Sequence, residues 1–357
     1  MHAHDATTVA ARPDTPVEIA LLDLDDADLT HRAYLATEES YRHGREFSTF
    51  LSEPELLAEL HADPAVELVE PWIASVDGEV AGTCWLWLPQ ADNRDKVYAG
   101  IQVRPSLRHR GVGSALVEHA VERVRAAGRT LMIVDSWYPL DAGPEHPHRR
   151  FAARHGFSVG NEEVRRVLTL PLPAALLDAL EAESDPAGRG APYRIETFRD
   201  DVPEHLLESY VHLLNQLAAD APTGEIEFEA EQVPVAAYLG NVERAKAAGR
   251  TAYRSVAVHT LPDGTEEAVA HSTLACPAPG ADVPNAYQWG TLVRNDHRGH
   301  RLGMAVKVAN LRALQADRPD RRVVSTTNSA VNGPMVAINE RLGFRPVDLT
   351  AELVRRV

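Results

Sequence analysis

Two stretches of this 357-residue chain, 190 residues apart, repeat one pattern, and that repeat narrows the available folds more than any other feature. In the first, Val97 to Val103 (VYAGIQV) is an apolar, β-branched run of strand length, followed by RPSLRHRGVG. Leu116, Val117, Ala120, Val121 and Val124 then recur at helical spacing up to Gly128, a natural stop. The second stretch runs from Tyr287 to Val293 (YQWGTLV) and into RNDHRGHRLGMAVK. Val103 and Val293, Arg108 and Arg298, and Gly113 and Gly303 are each 190 residues apart. Val80 and Val269 are 189 apart, and the Gly-Phe pairs at 156–157 and 343–344 are 187 apart. A near-constant offset across separated landmarks marks a duplicated domain rather than a solenoid of short repeats. The expected layout is a disordered lead at 1–16, one module at 17–175, a linker at 176–191 whose core EAESDPAGRGAP has no apolar period, and a second module at 192–357.

The chemistry of the repeat lies in its loop. The first N–H groups of a helix have no intrahelical acceptor, and with the positive end of the helix dipole they favour an anion. Gly111 and Gly113 would let a ligand approach the backbone, and Arg104, Arg108, His109 and Arg110 add positive charge. The loop lacks the GxxxxGK[ST] of a P-loop and the third glycine of a dinucleotide loop. In the second copy Arg301 replaces the glycine of position 111, which costs room and φ freedom. His297, Arg298, His300, Arg301 and Lys307 are expected to compensate with charge.

The motif V-x-P-x-x-R-x-x-G-x-G-x-x-L, on Val103, Pro105, Arg108, Gly111, Gly113 and Leu116, resembles the acyl-CoA pyrophosphate loop of the GCN5-related N-acetyltransferase (GNAT) superfamily. The duplication resembles the tandem two-module type of that superfamily, the architecture of the mycothiol synthases. The resemblance implies an α/β (α+β) fold of two tandem modules. Each would be a mixed, mostly antiparallel sheet with helices on both faces, in the order β-α-α-β-β-β-α-β-α-β-β. It implies acetyl-CoA, or another acyl-CoA, as cofactor. Its pyrophosphate would lie against Val103, Arg108, His109, Arg110, Gly111, Val112, Gly113 and Ser114 in the first copy. The second copy would use Leu292, Val293, Arg298, Gly299, His300, Arg301, Leu302, Gly303 and Met304. Asn328, Asn332 and Met335 resemble the asparagine-bearing wall of the pantetheine channel, which the first copy lacks. The tyrosine that in this family often protonates the leaving thiolate is replaced by Ala152 and Asn339. Asn339, Tyr287 and Tyr138 stand as catalytic candidates, with Tyr98 and Asp135 beside them.

A formal net charge of −16 argues against a nucleic-acid partner and accords with a cationic substrate. Asp220, Glu225, Glu227, Glu229 and Glu231 could attract such a cation to the second copy, though a solvated acidic loop accounts for them as well. No apolar run approaches the roughly 18 residues of a membrane span. The N-terminus has no apolar signal segment, and His2 and His4 read as incidental, so no metal is expected. Cys84 and Cys276 lie in strand-like runs and read as buried thiols of a cytoplasmic protein, monomer or homodimer. The expectation is therefore an acyl-CoA-dependent N-acyltransferase moving acetyl to a small amine. Turnover is expected in the second module, whose channel wall is better preserved. An acyl-CoA-binding sensor or regulatory pseudoenzyme without turnover is the alternative, and a structural partner with vestigial loops a third reading.

Overall fold

The computed structural model describes residues 7–10, 16–45, 47, 50–61, 64–65, 67–220, 224–229, 232–277, 285–329 and 331–357. The chain divides into two compact units, neither of which is a continuous segment. Unit 1 comprises residues 1–163, 223–229 and 348–357, and unit 2 comprises 164–222 and 230–347.

Unit 1 begins with β1 (Thr7–Ala10), β2 (Pro16–Leu21), α1 (Ala27–Arg42) and α2 (Glu53–Leu60). It continues through β3 (Glu67–Val76), β4 (Glu79–Pro89), β5 (Lys96–Val103), α3 (Val112–Ala126), β6 (Leu131–Pro139) and α4 (Pro147–Arg154). Local chemistry sets the ends of these elements. Asp26 caps α1 by accepting the Leu29 N–H at 3.0 Å, and Ser52 and Glu55 form a capping box at the start of α2. A strand buries alternate residues on opposite faces, and β3 does so: Ala74 and Val76 face α3, while Ile73 faces α1 and α2. Leu116, wholly buried, anchors α3 to its face of the sheet.

Next come β7 (Ser158–Thr169), α5 (Ala174–Ser184), β8 (Tyr193–Arg199), α6 (Glu204–Asp220) and α7 (Val235–Ala247). They are followed by β9 (Thr251–Thr260), β10 (Glu266–Cys276), β11 (Asn285–Val293), α8 (Leu302–Asp317), β12 (Val323–Asn328), α9 (Gly333–Leu342) and β13 (Arg345–Arg356). The unit boundaries fall inside β7 and β13. Residues 348–356 of β13 pair with β6, from Asp348 opposite Pro139 to Arg356 opposite Leu131. The sheet of unit 1 is thus ordered β1-β2-β3-β4-β5-β6-β13, antiparallel except for β5–β6. In unit 2 the order is β7-β12-β11-β10-β9-β8, antiparallel except for β11–β12. Helices α6 and α7 cover one face of that sheet, α5 and α8 the other.

Three boundaries depart from expectation. Residues 7–10 of the expected disordered lead form β1, each opposite a residue of β2; residues 1–6 and 11–15, including His2 and His4, lie outside the described residues. The expected linker at 176–191 begins inside α5, because Leu177 and Leu180, three apart, bury against α8 and β7. The two continuous modules are replaced by interleaved units, because the last strand of the chain closes the sheet of the first unit. Where two final strands were expected after α4, the single 12-residue β7 stands.

Candidate active site

In unit 1 the parallel pair β5–β6 opens partway along. It runs from Lys96 opposite Leu131 to Ala99 opposite Val134 and then stops, although β5 continues to Val103 and β6 to Pro139. From Gly100 onward, β5 pairs only with β4. The edge facing β6 is left with unpaired backbone donors and acceptors, the feature needed to cradle a polar ligand between two strands.

A cavity of about 220 Å³ sits at this opening. Its walls come from Thr37 and Tyr41 of α1, Phe50, Leu51, and Leu56 and Glu59 of α2. Trp85 and Trp87 of β4, 98–100 and Gln102 of β5, and Ile133, Asp135 and Trp137 of β6 complete it. Ile133, Asp135 and Trp137 are alternate residues on one face of β6. Asp135 is exposed to the cavity yet lies deep within the protein envelope. Burial, with the Glu352 charge opposite it on β13 adding to the effect, pushes its carboxyl up to about 6. A carboxyl with that affinity for protons at the end of a pocket can hold an ammonium group and take its proton.

The loop beside the opening is built as a strand, a turn and a helix. The side chain of Arg108 folds back: its Nε donates to the Val103 carbonyl at 3.2 Å and its Nη2 to Ser40 Oγ at 3.3 Å. Desolvation lowers its guanidinium pKa against the opposing pull of Glu39. Ser40 in turn donates to Gln102 of the cavity wall at 3.0 Å. Arg108 thereby ties the loop to the cavity rather than presenting a free cation. His109 and Arg110 are exposed, and Gly111 caps α3 with φ +89°. The first hydrogen bond within α3 runs from the Ala115 N–H to the Gly111 carbonyl, so the N–H groups of Val112, Gly113 and Ser114 have no partner within the helix. The Val112 side chain is core; Ser114 Oγ shares a hydrogen bond with His155 Nε2 at 3.0 Å. Gly113 serves packing: a Cβ there would lie 3.2 Å from the Phe151 ring.

The second loop has the same form. Arg298 Nε donates to the Val293 carbonyl at 3.2 Å, repeating Arg108. Gly299 has φ +87°, His300 is exposed, and Arg301 caps α8 in a left-handed conformation, φ +60°. The φ freedom expected to be lost at Arg301 is therefore kept. The Arg301 side chain pairs with Glu183 of α5, a carboxyl held below the usual range first by Arg341 and then by Arg301. Leu292, Leu302 and Met304 are core, and a Cβ on Gly303 would lie 3.2 Å from Ile338. Lys307 is not part of the loop's charge. It is 1 % exposed, its Nζ lies 5.3 Å over the Phe344 ring, and burial pushes it down to about 7.

Strands β11 and β12 also part, after Tyr287 opposite Ser325. A bulge between Thr273 and Leu274 of β10 leaves Trp289 of β11 unmatched and 64 % exposed. The one-residue change in repeat offset, from 189 to 190, falls across this bulge.

The residues of the expected channel wall each have a local partner or packing role. Asn332 caps α9, accepting the Met335 N–H at 3.4 Å, and Met335 is half-buried. Asn339 is wholly buried and donates to Asn328 Oδ1 at 2.7 Å, joining α9 to the end of β12. Nor does Tyr138 face the cavity. It lies on the other face of β6, donates to Glu162 at 2.8 Å under the Arg149 guanidinium, and burial raises its pKa. Tyr287 is half-buried at the last pair of its ladder.

Glu225, Glu227 and Glu229 belong to unit 1, where Ile226 and Phe228 pack on Leu131 and Ile133 and Glu229 exchanges hydrogen bonds with Asn93. They do not form an acceptor surface of the second copy; the Asp220 side chain and Glu231 lie outside the described residues. Sequence reasoning missed Tyr41, Phe50, Trp85, Trp87, Glu59 and Trp137 as cavity residues. The WLW run of β4 and the alternation Ile133-Asp135-Trp137 were the available signals.

A sheet whose one parallel pair opens beside a strand–loop–helix anion site is the GNAT fold, present here twice. Residues 15–157 match the model of the acetyltransferase (GNAT) family. Among solved structures, the chain resembles a tandem GNAT protein from the clavulanic acid biosynthesis pathway, with 24% identity, TM-score 0.73, and 95% of this chain and 98% of that chain covered. It also resembles a GCN5-related N-acetyltransferase from Sphaerobacter thermophilus, with 14% identity, TM-score 0.61, and 95% of each chain covered. The N-myristoyltransferase of Saccharomyces cerevisiae, solved with myristoyl-CoA, aligns at 12% identity and TM-score 0.53, covering 96% of this chain and 79% of that one. At these identities the likenesses carry the fold. A search of curated proteins gave no match. No helix among the described residues is long and apolar enough to cross a membrane.

Proposed function

We propose that the protein transfers acetyl from acetyl-CoA, or acyl from a related acyl-CoA, to a small amine, and that the amine is taken in the cavity of unit 1. The observation that carries this reading is the cavity at the β5–β6 opening with Asp135 on its wall. The better channel wall expected in the second module was the reason to place turnover there. Asn328 and Asn339 are bonded to each other and Asn332 caps a helix, roles compatible with a channel wall, and the reading follows the cavity of unit 1 instead.

The residues fit the cofactor on two counts: the edge of β5 from Gly100 to Gln102, which β6 leaves without a strand partner, and the N–H groups at the start of α3 that have no acceptor within the helix. The N–H groups of Val112, Gly113 and Ser114, with Arg110 beside them, would hold its pyrophosphate. When bound, it supplies a thioester carbonyl open to attack by an amine. Asp135 orients the incoming ammonium and accepts its proton, leaving the nitrogen lone pair free. Backbone N–H groups on the open edge of β5 stabilise negative charge developing on a carbonyl oxygen. The aromatic walls exclude water. Unit 2 then has a binding or stabilising role, since a ligand bound only to the folded state stabilises it by mass action. Action in the cytoplasm accords with two buried, unbridged thiols, of which Cys276 is pushed up to about 12.

The test is release of free CoA thiol by the intact protein from acetyl-CoA and a panel of amines, with acetyl-CoA binding followed by calorimetry. Amine-dependent thiol release that Asp135→Asn suppresses supports the reading. Cofactor binding without release by any amine would point to the sensor instead.

A further inference from the structure

We infer that the acceptor is a cation: a small primary amine on a short arm attached to one flat apolar ring, without a carboxylate or phosphate. This rests on reading the unit 1 cavity as the acceptor site.

Size comes first. An apolar cavity of about 150 Å³ holds one benzene ring. The 220 Å³ here takes a ring with an arm of two or three atoms.

Surface comes second. Six aromatic rings line the cavity, among them Trp85 and Trp87, two residues apart on one face of β4. Tyr41 already packs against Trp137, ring centroids 4.4 Å apart, and against Phe50 at 5.0 Å, so the walls are assembled before any ligand arrives. Gly100 matters here. Both indoles pass close over β5 at that position, since a Cβ there would make ordinary contact with the Trp87 ring at 3.4 Å and the Trp85 ring at 3.6 Å. Rings of this kind favour a flat apolar body by offset or edge contact and a cation by their electron-rich faces. A polyhydroxylated acceptor would leave its hydroxyl groups without partners along most of this wall.

Charge comes third. The ionisable acids of the lining are Glu59 and Asp135, and no lysine, arginine or histidine is among the lining residues. The Arg45 guanidinium lies 4.3 Å over the Trp137 ring and pairs with Asp348. A ligand carboxylate would enter beside two acids with no cation to meet it, which costs both desolvation and repulsion. The lining carries one carboxyl at the strand opening, Asp135, and another, Glu59, on α2 beside Phe50, Leu51 and Leu56. The amine is placed at Asp135 and the ring against the aromatic and apolar walls.

The test is binding to the full chain, read by calorimetry and by the fluorescence of Trp85, Trp87 and Trp137. Four probes are used: 2-phenylethylamine; 2-phenylethanol, which lacks the charge; phenylalanine, which adds a carboxylate; and putrescine, which replaces the ring with a second ammonium. The expected result is that 2-phenylethylamine binds at least tenfold more tightly than each of the other three. Asp135→Asn should erase the preference for amine over alcohol while the alcohol still binds, a pattern that a merely structural role would not produce. Trp87→Leu should weaken both ring-bearing probes at least fivefold. Phenylalanine or putrescine binding as tightly as 2-phenylethylamine overturns the inference, as does an amine preference that survives Asp135→Asn. These readouts need no turnover. If 2-phenylethylamine binds as expected and no thiol is released, the inference stands and the acyltransferase reading fails. Acetylation of putrescine by a protein that ignores 2-phenylethylamine has the opposite meaning.

Discussion

The two copies of the anion loop, RHRGVG and RGHRLG, place glycine at different positions on the same backbone path. In the first copy the left-handed positions are His109, φ +64°, and Gly111, φ +89°. In the second they are Gly299, φ +87°, and Arg301, φ +60°. Each copy keeps both left-handed residues, two apart, and each spends one glycine on a different member of the pair. A residue with a Cβ costs roughly 1–2 kcal/mol in this conformation. The shape is thus maintained at the cost of one strained side chain per loop, and a glycine motif read as fixed positions misses it. What separates the units is not the loop but what lies across the opening. Asp135 of β6 corresponds to Thr327 of β12, two residues beyond the equivalent partners Ile133 and Ser325.

The strongest way to break the comparison is to exchange that chemistry. Asp135→Asn is expected to lower kcat about 10²- to 10⁴-fold, and Thr327→Ala to leave it within about twofold, in a steady-state thiol-release assay. Equal losses would place the reacting groups in both units. The same carboxyl sets the pH profile. Its folded pKa is raised, so it is protonated and inactive as a base below about 6, and kcat/KM should rise with pH through that value. The acidic limb should vanish in Asp135→Asn. The sign for stability is opposite: a raised carboxyl pKa disfavours the folded state once pH climbs above its unfolded value, and the penalty is complete above about 6.

Next in size is the loop charge. Arg110 and His300 are equivalent, exposed positions, so a carboxylate at either should leave the fold intact. Arg110→Glu is expected to raise the KM for acetyl-CoA about tenfold, and His300→Glu to spare turnover and lower only the binding stoichiometry seen by calorimetry. Smaller again are the backbone effects. Gly111→Ala and Gly299→Ala should each destabilise by about 1 kcal/mol in denaturant unfolding, since each must hold a positive φ. Arg301→Gly should shift stability least. It relieves the strain of a left-handed arginine but loses an exposed, solvent-screened ion pair to Glu183.

The local pattern revealed much of this and stopped where physics becomes non-local. The strand–loop–helix units, the hairpins and the duplicated order were visible because hydrophobic period and turn chemistry are encoded within a few residues. The fate of β13 was not, since nothing in RPVDLTAELVRR says which strand of the chain it will pair with. The site shows the same divide. Asp135 stood among the candidates beside Tyr138, and strict alternation along β6 already puts them on opposite faces. Arg108 read as an anion ligand from its place in the motif, and only its geometry shows it holding the Val103 carbonyl. The packing roles of Gly113 and Gly303 depend on Phe151 and Ile338, far along the chain, so glutamate at either glycine would test packing rather than charge.

The pairing of residues 348–356 with β6 bears on biosynthesis. At ribosomal speeds of about 5–20 residues per second, they emerge on the order of ten to forty seconds after Glu163, the last residue of the opening segment of unit 1. Through that interval β6, the strand carrying Asp135, has no antiparallel neighbour at its outer edge, and bare edges invite wrong partners. The half of the protein made first is therefore finished last. A nonsense or frameshift lesion at codon 348 would strike the cavity of unit 1 while leaving residues 230–347 to be made in full.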